Sequence, residues 1–179
     1  MENSKTTRLV DKWRPRTIQE LRGQENAIGA LASYLQNPFP TAFIFEGETG
    51  IGKTSAALAL AEALGVDTKR QELGGLHQIP SGEQTGESVR ALMQSLRLVP
   101  MVGNGWRVAI INEAEHITPG AAHIWLDVLE ELPARTTVIF TTNLPDILSQ
   151  RFLDRCERVS FLSHINQVSQ AASQFIQDV

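Results

Sequence analysis

The sequence predicts an α/β domain in which a mostly parallel sheet is covered on both faces by helices. Three observations carry this. Apolar or β-branched runs of strand length (Ala42 to Glu46, Trp106 to Ile111, Thr136 to Thr142) alternate with longer runs whose apolar residues recur at helical spacing. A glycine-rich loop, Gly47-Glu48-Thr49-Gly50-Ile51-Gly52-Lys53-Thr54-Ser55, stands between one such strand and a helical run and fits the pattern G-x-x-x-x-G-K-S/T. Polar residues Asn112, Glu113 and Asn143 directly follow two further strands, at the carboxyl ends where open parallel sheets bind ligands.

Each element follows from local chemistry. Residues 1–12 read as a polar arm, and Trp13-Arg14-Pro15-Arg16-Thr17 as an extended lead-in, because a residue before proline is pushed out of the helical region. From Gln24 to Gln36, Ala27, Ile28, Leu31, Tyr34 and Leu35 fall on one helical face, which Asn37-Pro38-Phe39-Pro40 ends. After the loop, Ala56 to Leu64 is helical up to Gly65. Lys69 to Leu73 is expected as a short strand and Gly74 to Gly86 as a loop. Glu87 to Leu98 carries Val89, Leu92, Met93 and Leu96 at helical spacing. Thr118-Pro119 is an N-cap followed by proline at the first helical position, and that helix runs to Pro133. Pro145 to Ser149 is expected as a short helix and Arg158 to Phe161 as the last strand.

The 179 residues suffice for one domain with a real core, or for one domain plus a fragment of a second. No apolar run approaches membrane-span length, and the polar N-terminus has no signal core, so the expectation is a cytoplasmic protein without membrane contact. A lone cysteine, Cys156, excludes an intrachain disulfide and a multi-cysteine zinc module; it is expected to be a buried, inert thiol. His77, His116, His123 and His164 lack metal-ligand spacing. The net charge of −4 argues against a broadly basic nucleic-acid surface.

The loop suits a nucleotide phosphate. Gly47, Gly50 and Gly52 allow backbone amides to converge on phosphate oxygens, and the following helix adds its positive dipole end. Lys53 is expected to reach the β- and γ-phosphates and the Thr54 hydroxyl to ligate magnesium. Glu113 either orients a water for attack on the terminal phosphate or merely caps its strand. Asn112 can accept through its carbonyl oxygen but lacks the negative charge that holds magnesium. Asn143 either hydrogen-bonds the γ-phosphate or the attacking water, or is a turn asparagine before Leu144-Pro145. Read alone, Arg155 is an exposed salt-bridge partner.

Together these segments resemble the clamp-loader subunits of the AAA+ ATPases, a group that includes replication factor C small subunits and the bacterial DNA polymerase III tau/gamma subunit. Trp13-Arg14-Pro15-Arg16-Thr17 and Glu20-Leu21-Arg22-Gly23-Gln24 look like the opening box of that family. The glycine loop is similar to Walker A, and Ile110-Ile111-Asn112-Glu113-Ala114-Glu115-His116 to Walker B. Thr141-Thr142-Asn143 matches sensor 1, Asp154-Arg155-Cys156 resembles the Ser-Arg-Cys signature, and Thr85 to Arg90 looks like the segment before the central helix. The resemblance covers about residues 8–162. It implies a P-loop NTPase of the AAA+ type, with a five-stranded parallel sheet in the order 5-1-4-3-2. It implies ATP and magnesium as ligands, Arg14 and Gly23-Gln24 near the adenine, and catalytic roles for Lys53, Glu113 and Asn143. Arg155 would act in trans on ATP held by a neighbouring AAA+ subunit, in an assembly that loads a sliding clamp on primer-template DNA.

Three departures matter. Asn112 stands where the family has an aspartate, which predicts slow hydrolysis. Asp154 replaces the serine beside the finger, where its carboxylate can pair with Arg155 or redirect it. The family continues into a helical lid and a collar, whereas here an AAA+ domain over 1–162 is followed only by 163–179. There Ile165, Val168, Ala171, Ala172, Phe175 and Ile176 predict one amphipathic helix, the start of a truncated lid in one reading. The lack of a zinc module before the central helix is closer to eukaryotic, archaeal or phage-like members. The leading expectation is ATP hydrolysis to ADP and phosphate in a clamp-loader-type assembly. The alternatives are a non-hydrolysing ATP-binding subunit and another AAA+ DNA motor or remodelling switch.

Overall fold

The computed structural model describes Pro15 and residues 17–162. The polar arm, Arg14 and the helix expected over 163–179 lie outside the described residues. The chain runs as α1 (Glu25–Gln36), β1 (Thr41–Glu46), α2 (Lys53–Ala63), β2 (Leu76–Ile79), α3 (Gly86–Leu96), β3 (Arg107–Ile111), α4 (Pro119–Glu130), β4 (Thr136–Thr142), α5 (Gln150–Leu153) and β5 (Glu157–Ser160). Five strands form one sheet in the order β2-β3-β4-β1-β5, the order expected, and every pairing is parallel.

Strand side chains alternate between two cores. Phe43 and Phe45 of β1, Val108 and Ile110 of β3 and Ile139 of β4 point toward α1 and α2. Ile44, Ala109, Ile111, Val138 and Phe140 point the other way, toward α3, α4 and α5. Burial on both faces explains why these strands read as continuous apolar runs rather than as alternating ones. Helix α2 is itself deeply buried, with Ala56, Ala57, Ala59, Leu60 and Ala61 at 1% exposure or less. Its small residues let it lie close to the sheet.

The capping chemistry of α4 is as expected: the Ala121 amide donates to Thr118 Oγ1 at 3.3 Å, with Pro119 in the first turn. The strand expected at Lys69 to Leu73 is absent. Asp67 Oδ1 accepts from the amides of Lys69 (3.1 Å) and Arg70 (3.2 Å), which curls the chain into a 3₁₀ turn over Gln71–Gly74. The strand lies further on, at β2, inside the expected loop. There the buried polar His77 interrupts Leu76 and Ile79 and hides the apolar signal. The short helix expected at Pro145 to Ser149 is a 3₁₀ turn, Pro145–Ile147, and α5 follows it.

The second core is anchored by rings. Trp125 of α4 meets Phe140 edge-on at 4.9 Å, and Phe140 meets Phe152 at 4.9 Å. The Trp125 indole N–H is buried and makes no hydrogen bond among the described residues. Trp125→Ala should therefore destabilise the chain by roughly 3–5 kcal/mol in urea unfolding. Trp125→Phe, which removes an unpaired donor along with some volume, should cost under about 1.5 kcal/mol.

Candidate functional site at the carboxyl ends of β1, β3 and β4

Parallel register brings the site together. Glu46, the last residue of β1, lies opposite Thr142, the last of β4; Ile111, the last of β3, lies opposite Phe140. The residues that follow the three strands therefore emerge at one edge. They line a cleft of about 390 Å³ formed by Thr49, Gly50, Gly52, Lys53, Thr54, Ser55, Asn112, Glu113, Thr141, Thr142 and Asn143. Nearly all the candidate phosphate-site residues meet here. A larger cleft of about 640 Å³, lined by Leu58, Glu62, Val66, Asp67, Lys69 and Gln78 among others, joins two carboxylates to aliphatic surface and does not suit a polyanion.

The loop owes its path to three glycines with positive φ, Gly47, Gly50 and Gly52. Gly47 has φ +150°, and a Cβ there would sit 2.5 Å from the Phe161 carbonyl oxygen. Gly52 is left-handed, φ 106°, and caps α2 without a side chain. The Ala56 amide donates to Gly52 O at 2.9 Å, so α2 begins pairing its backbone there. The amides of Lys53, Thr54 and Ser55 are thereby left as open donors at a positive helix end. Ile51 and Glu48 complete the turn, with the Ile51 amide on Glu48 O at 3.4 Å.

Lys53 is the hub. Its ammonium donates to Gly47 O (2.7 Å), Glu48 O (2.7 Å) and Asn143 Oδ1 (2.8 Å). Burial pulls its pKa below the ordinary lysine value, and the carboxylates of Glu115 and Glu113 pull it back up. All three ammonium donors are engaged, so a phosphate oxygen has to displace at least one of these acceptors. Thr54 Oγ1 donates to Asn112 Oδ1 at 3.2 Å, which sets the two expected magnesium neighbours side by side. Among the described residues no group of three or more His, Cys, Asp or Glu side chains could hold a metal ion. A hydroxyl and an amide oxygen fit only a cation whose other ligands are phosphate oxygens and water.

Glu113 sits at φ 55°, a strained left-handed position. Two side chains whose roles the sequence did not disclose hold it there. The Glu113 amide donates to Thr141 Oγ1 at 3.2 Å, and Gln84 Nε2 donates to the carbonyls of Asn112 and of Glu113, the latter at 3.2 Å. Gln84 is 1% exposed, and nothing in the sequence of its expected loop marks it as buried. The Glu113 carboxylate itself is half exposed, 3.6 Å from His116 Nδ1. Glu115, to which the sequence assigned no role, accepts from the Asn143 amide (3.5 Å) and from Asn143 Nδ2 (3.2 Å).

The remaining candidates lie elsewhere. Gln24 is 8% exposed and clips the chain after β5: Nε2 donates to Leu162 O (3.3 Å), and the Leu162 amide donates to Oε1 (3.1 Å). With Gly23, Glu25, Asn26, Ser160 and Leu162 it lines a separate cleft of about 190 Å³. Arg155 is absent from the phosphate cleft. It donates to Arg151 O (2.7 Å) and Glu130 Oε1 (2.5 Å), while Asp154 accepts from Gln150 Nε2 (2.6 Å) and leaves the arginine alone. His77 is buried, and burial pulls its pKa down. No helix among the described residues is long and apolar enough to cross a membrane.

Sheet order, loop and strand-end groups together define the AAA+ class of P-loop fold. Solved structures of Thermotoga maritima share it: a DNA polymerase III gamma subunit-related protein (TM-score 0.66, 18% identity, 77% of this chain and 46% of that one) and a RuvB point mutant (TM-score 0.70, 16% identity, 94% and 56%). The family model described as "DNA polymerase III, delta subunit" matches residues 69–164, so the chain belongs to that family, an AAA+ protein of the clamp-loader type. It is 32% identical over 166 residues to DNA polymerase III subunit tau/gamma of Haemophilus influenzae, covering 83% of this chain and 24% of that protein. It is 28% identical over 153 residues to the replication factor C small subunit of Methanothermobacter thermautotrophicus, covering 86% and 47%. The chain thus spans a quarter to just under a half of the length of these relatives.

Cys156 packs against the Phe152 core, and burial pushes its thiol up to about 12. At pH 8 such a thiol is ionised to about one part in ten thousand, against roughly a quarter for a free cysteine. Alkylation by iodoacetamide at pH 8 should be about a thousandfold slower for the native chain than for the denatured one. The native rate should climb about tenfold per pH unit while the fold persists; equal rates in the two states would show an exposed thiol.

Proposed function

We propose that the chain is the ATP-binding and ATP-hydrolysing module of a clamp-loader-type assembly, working with other AAA+ subunits on a sliding clamp and primer-template DNA. The observation that carries this reading is the convergence of Lys53, Thr54, Asn112, Glu113 and Asn143 on one cleft behind an amide-rich loop. Lys53 and the open amides of α2 bind the β- and γ-phosphates. Thr54 and Asn112 stand where magnesium would be held; when bound, the ion neutralises phosphate charge. Glu113, exposed and held in a strained turn, takes up the proton of the attacking water or orients it. Arg155 points away from its own chain's cleft, which suits a finger offered to a neighbouring subunit's ATP; Glu130 holds it meanwhile. Arg14 and Gln24 are assigned to the adenine by resemblance, and Gln24 shapes the wall of its own cleft by clipping Leu162.

A second reading, nucleotide binding without turnover, is favoured by Asn112 alone. A neutral amide in the metal shell weakens charge neutralisation in the transition state more than it weakens ground-state phosphate binding.

Steady-state ATPase assays with partner subunits, clamp and DNA test both readings. Glu113→Gln should cut turnover at least a hundredfold while nucleotide affinity stays within a few fold. Arg155→Ala should leave affinity intact and remove about a thousandfold of assembly-stimulated turnover. Asn112→Asp should raise both magnesium affinity and turnover. Zero turnover in every mixture, with saturable ATP binding, would leave the non-hydrolysing reading; failure of the chain to capture a sliding clamp would move it to another AAA+ role.

A further inference from the structure

The Asn143 amide is not free to choose its orientation. Lys53 Nζ carries donors only and lies 2.8 Å from one end of the amide; a carboxylate oxygen of Glu115 lies 3.2 Å from the other. Chemistry alone therefore fixes Oδ1 toward Lys53 and Nδ2 toward Glu115. The same Glu115 oxygen also accepts from the Asn143 backbone amide at 3.5 Å, so the carboxylate grips both the main chain and the side chain of one residue. Glu115 does not line the cleft that Asn143 lines. Its second oxygen, Oε2, is buried and makes no hydrogen bond among the described residues, so nothing competes for the carboxylate's orientation.

We propose that Glu115 is a positioning residue that locks the Asn143 side chain with its carbonyl oxygen toward the cleft. The inference rests on the ATPase reading for its catalytic consequence but not for its geometry. With one Nδ2 hydrogen committed to Glu115, the atom Asn143 turns toward Lys53 is the Oδ1 acceptor. It accepts from the Lys53 ammonium or from a water. Asn143 therefore aligns the attacking water or tethers Lys53 through Oδ1, and any donation to a γ-phosphate oxygen is left to the second Nδ2 hydrogen alone. The 3₁₀ turn Ala114–His116, which carries Glu115, thereby couples the end of β3 to the end of β4 through one carboxylate.

Two measurements on the full chain test this. In ligand-free proton–nitrogen spectra, the Asn143 side-chain amide resonances, identified by their loss in Asn143→Ala, should shift strongly in Glu115→Ala. They should shift part of the way in Glu115→Gln, where a neutral oxygen replaces the charged acceptor. In the assembled ATPase, Glu115→Ala should lower kcat about tenfold with ATP affinity unchanged within about twofold, and Glu115→Gln should recover most of that loss. The double variant Glu115→Ala with Asn143→Ala should be no slower than Asn143→Ala alone. Losses that multiply, or amide resonances unmoved in both Glu115 variants, would overturn the proposal. Should Glu115→Ala not fold, the spectrum of Glu115→Gln, which has the same shape, decides the question. If no mixture hydrolyses ATP, the ATPase reading falls, while the spectra still judge Glu115.

Discussion

The organising constraint of this molecule is the register between β1 and its parallel neighbours. Because Glu46 of β1 ends level with Thr142 of β4, the loop that turns at Gly47 and the asparagine that follows β4 start from the same height. Lys53 can then span from the loop's own carbonyls to Asn143 with one ammonium. A slip of one residue in either pairing would turn each strand's core faces over and would separate these groups. Two buried cores hold the register, one on each side of the sheet, so the geometry of the cleft follows from packing more than from the strength of the loop itself.

Charge shapes what that geometry can do. The cleft gathers a lysine, four threonines, a serine, two side-chain amides and one accessible carboxylate, with Glu115 set behind them. It is rich in donors and poor in formal negative charge near Thr54, where Asn112 accepts a hydrogen bond without contributing a charge. Such a site grips a polyanion readily. Its hold on a dication depends heavily on the oxygens that the polyanion itself brings.

Much of the fold was legible because its signals are local and redundant. The β-branched run Thr136 to Thr142 has the bounds expected of it, and Thr118-Pro119 starts a helix as capping chemistry requires. The glycine loop was readable for the same reason, since every residue type in it answers a backbone need. β2 was hidden because its four residues include two polar ones, and one of them, His77, is buried on an inner face. The roles of Gln84, Glu115 and Thr141 were hidden for a different reason: each acts on a residue 28 or more positions away or across a strand pairing, and no spacing rule encodes that. Gln24 was expected near the adenine from the resemblance alone, and its bond to the backbone 138 residues downstream is visible only in three dimensions.

That clip has a mechanical meaning. The chain leaving β5 is tied at Leu162 by both atoms of the Gln24 amide, one residue after Phe161 hydrogen-bonds Glu46 O at 2.8 Å and crowds the Cβ position of Gly47. A displacement of the backbone at Leu162 would therefore bear, within one or two residues, on the contacts of Phe161 with Glu46 and Gly47, and so on the first residue of the phosphate loop.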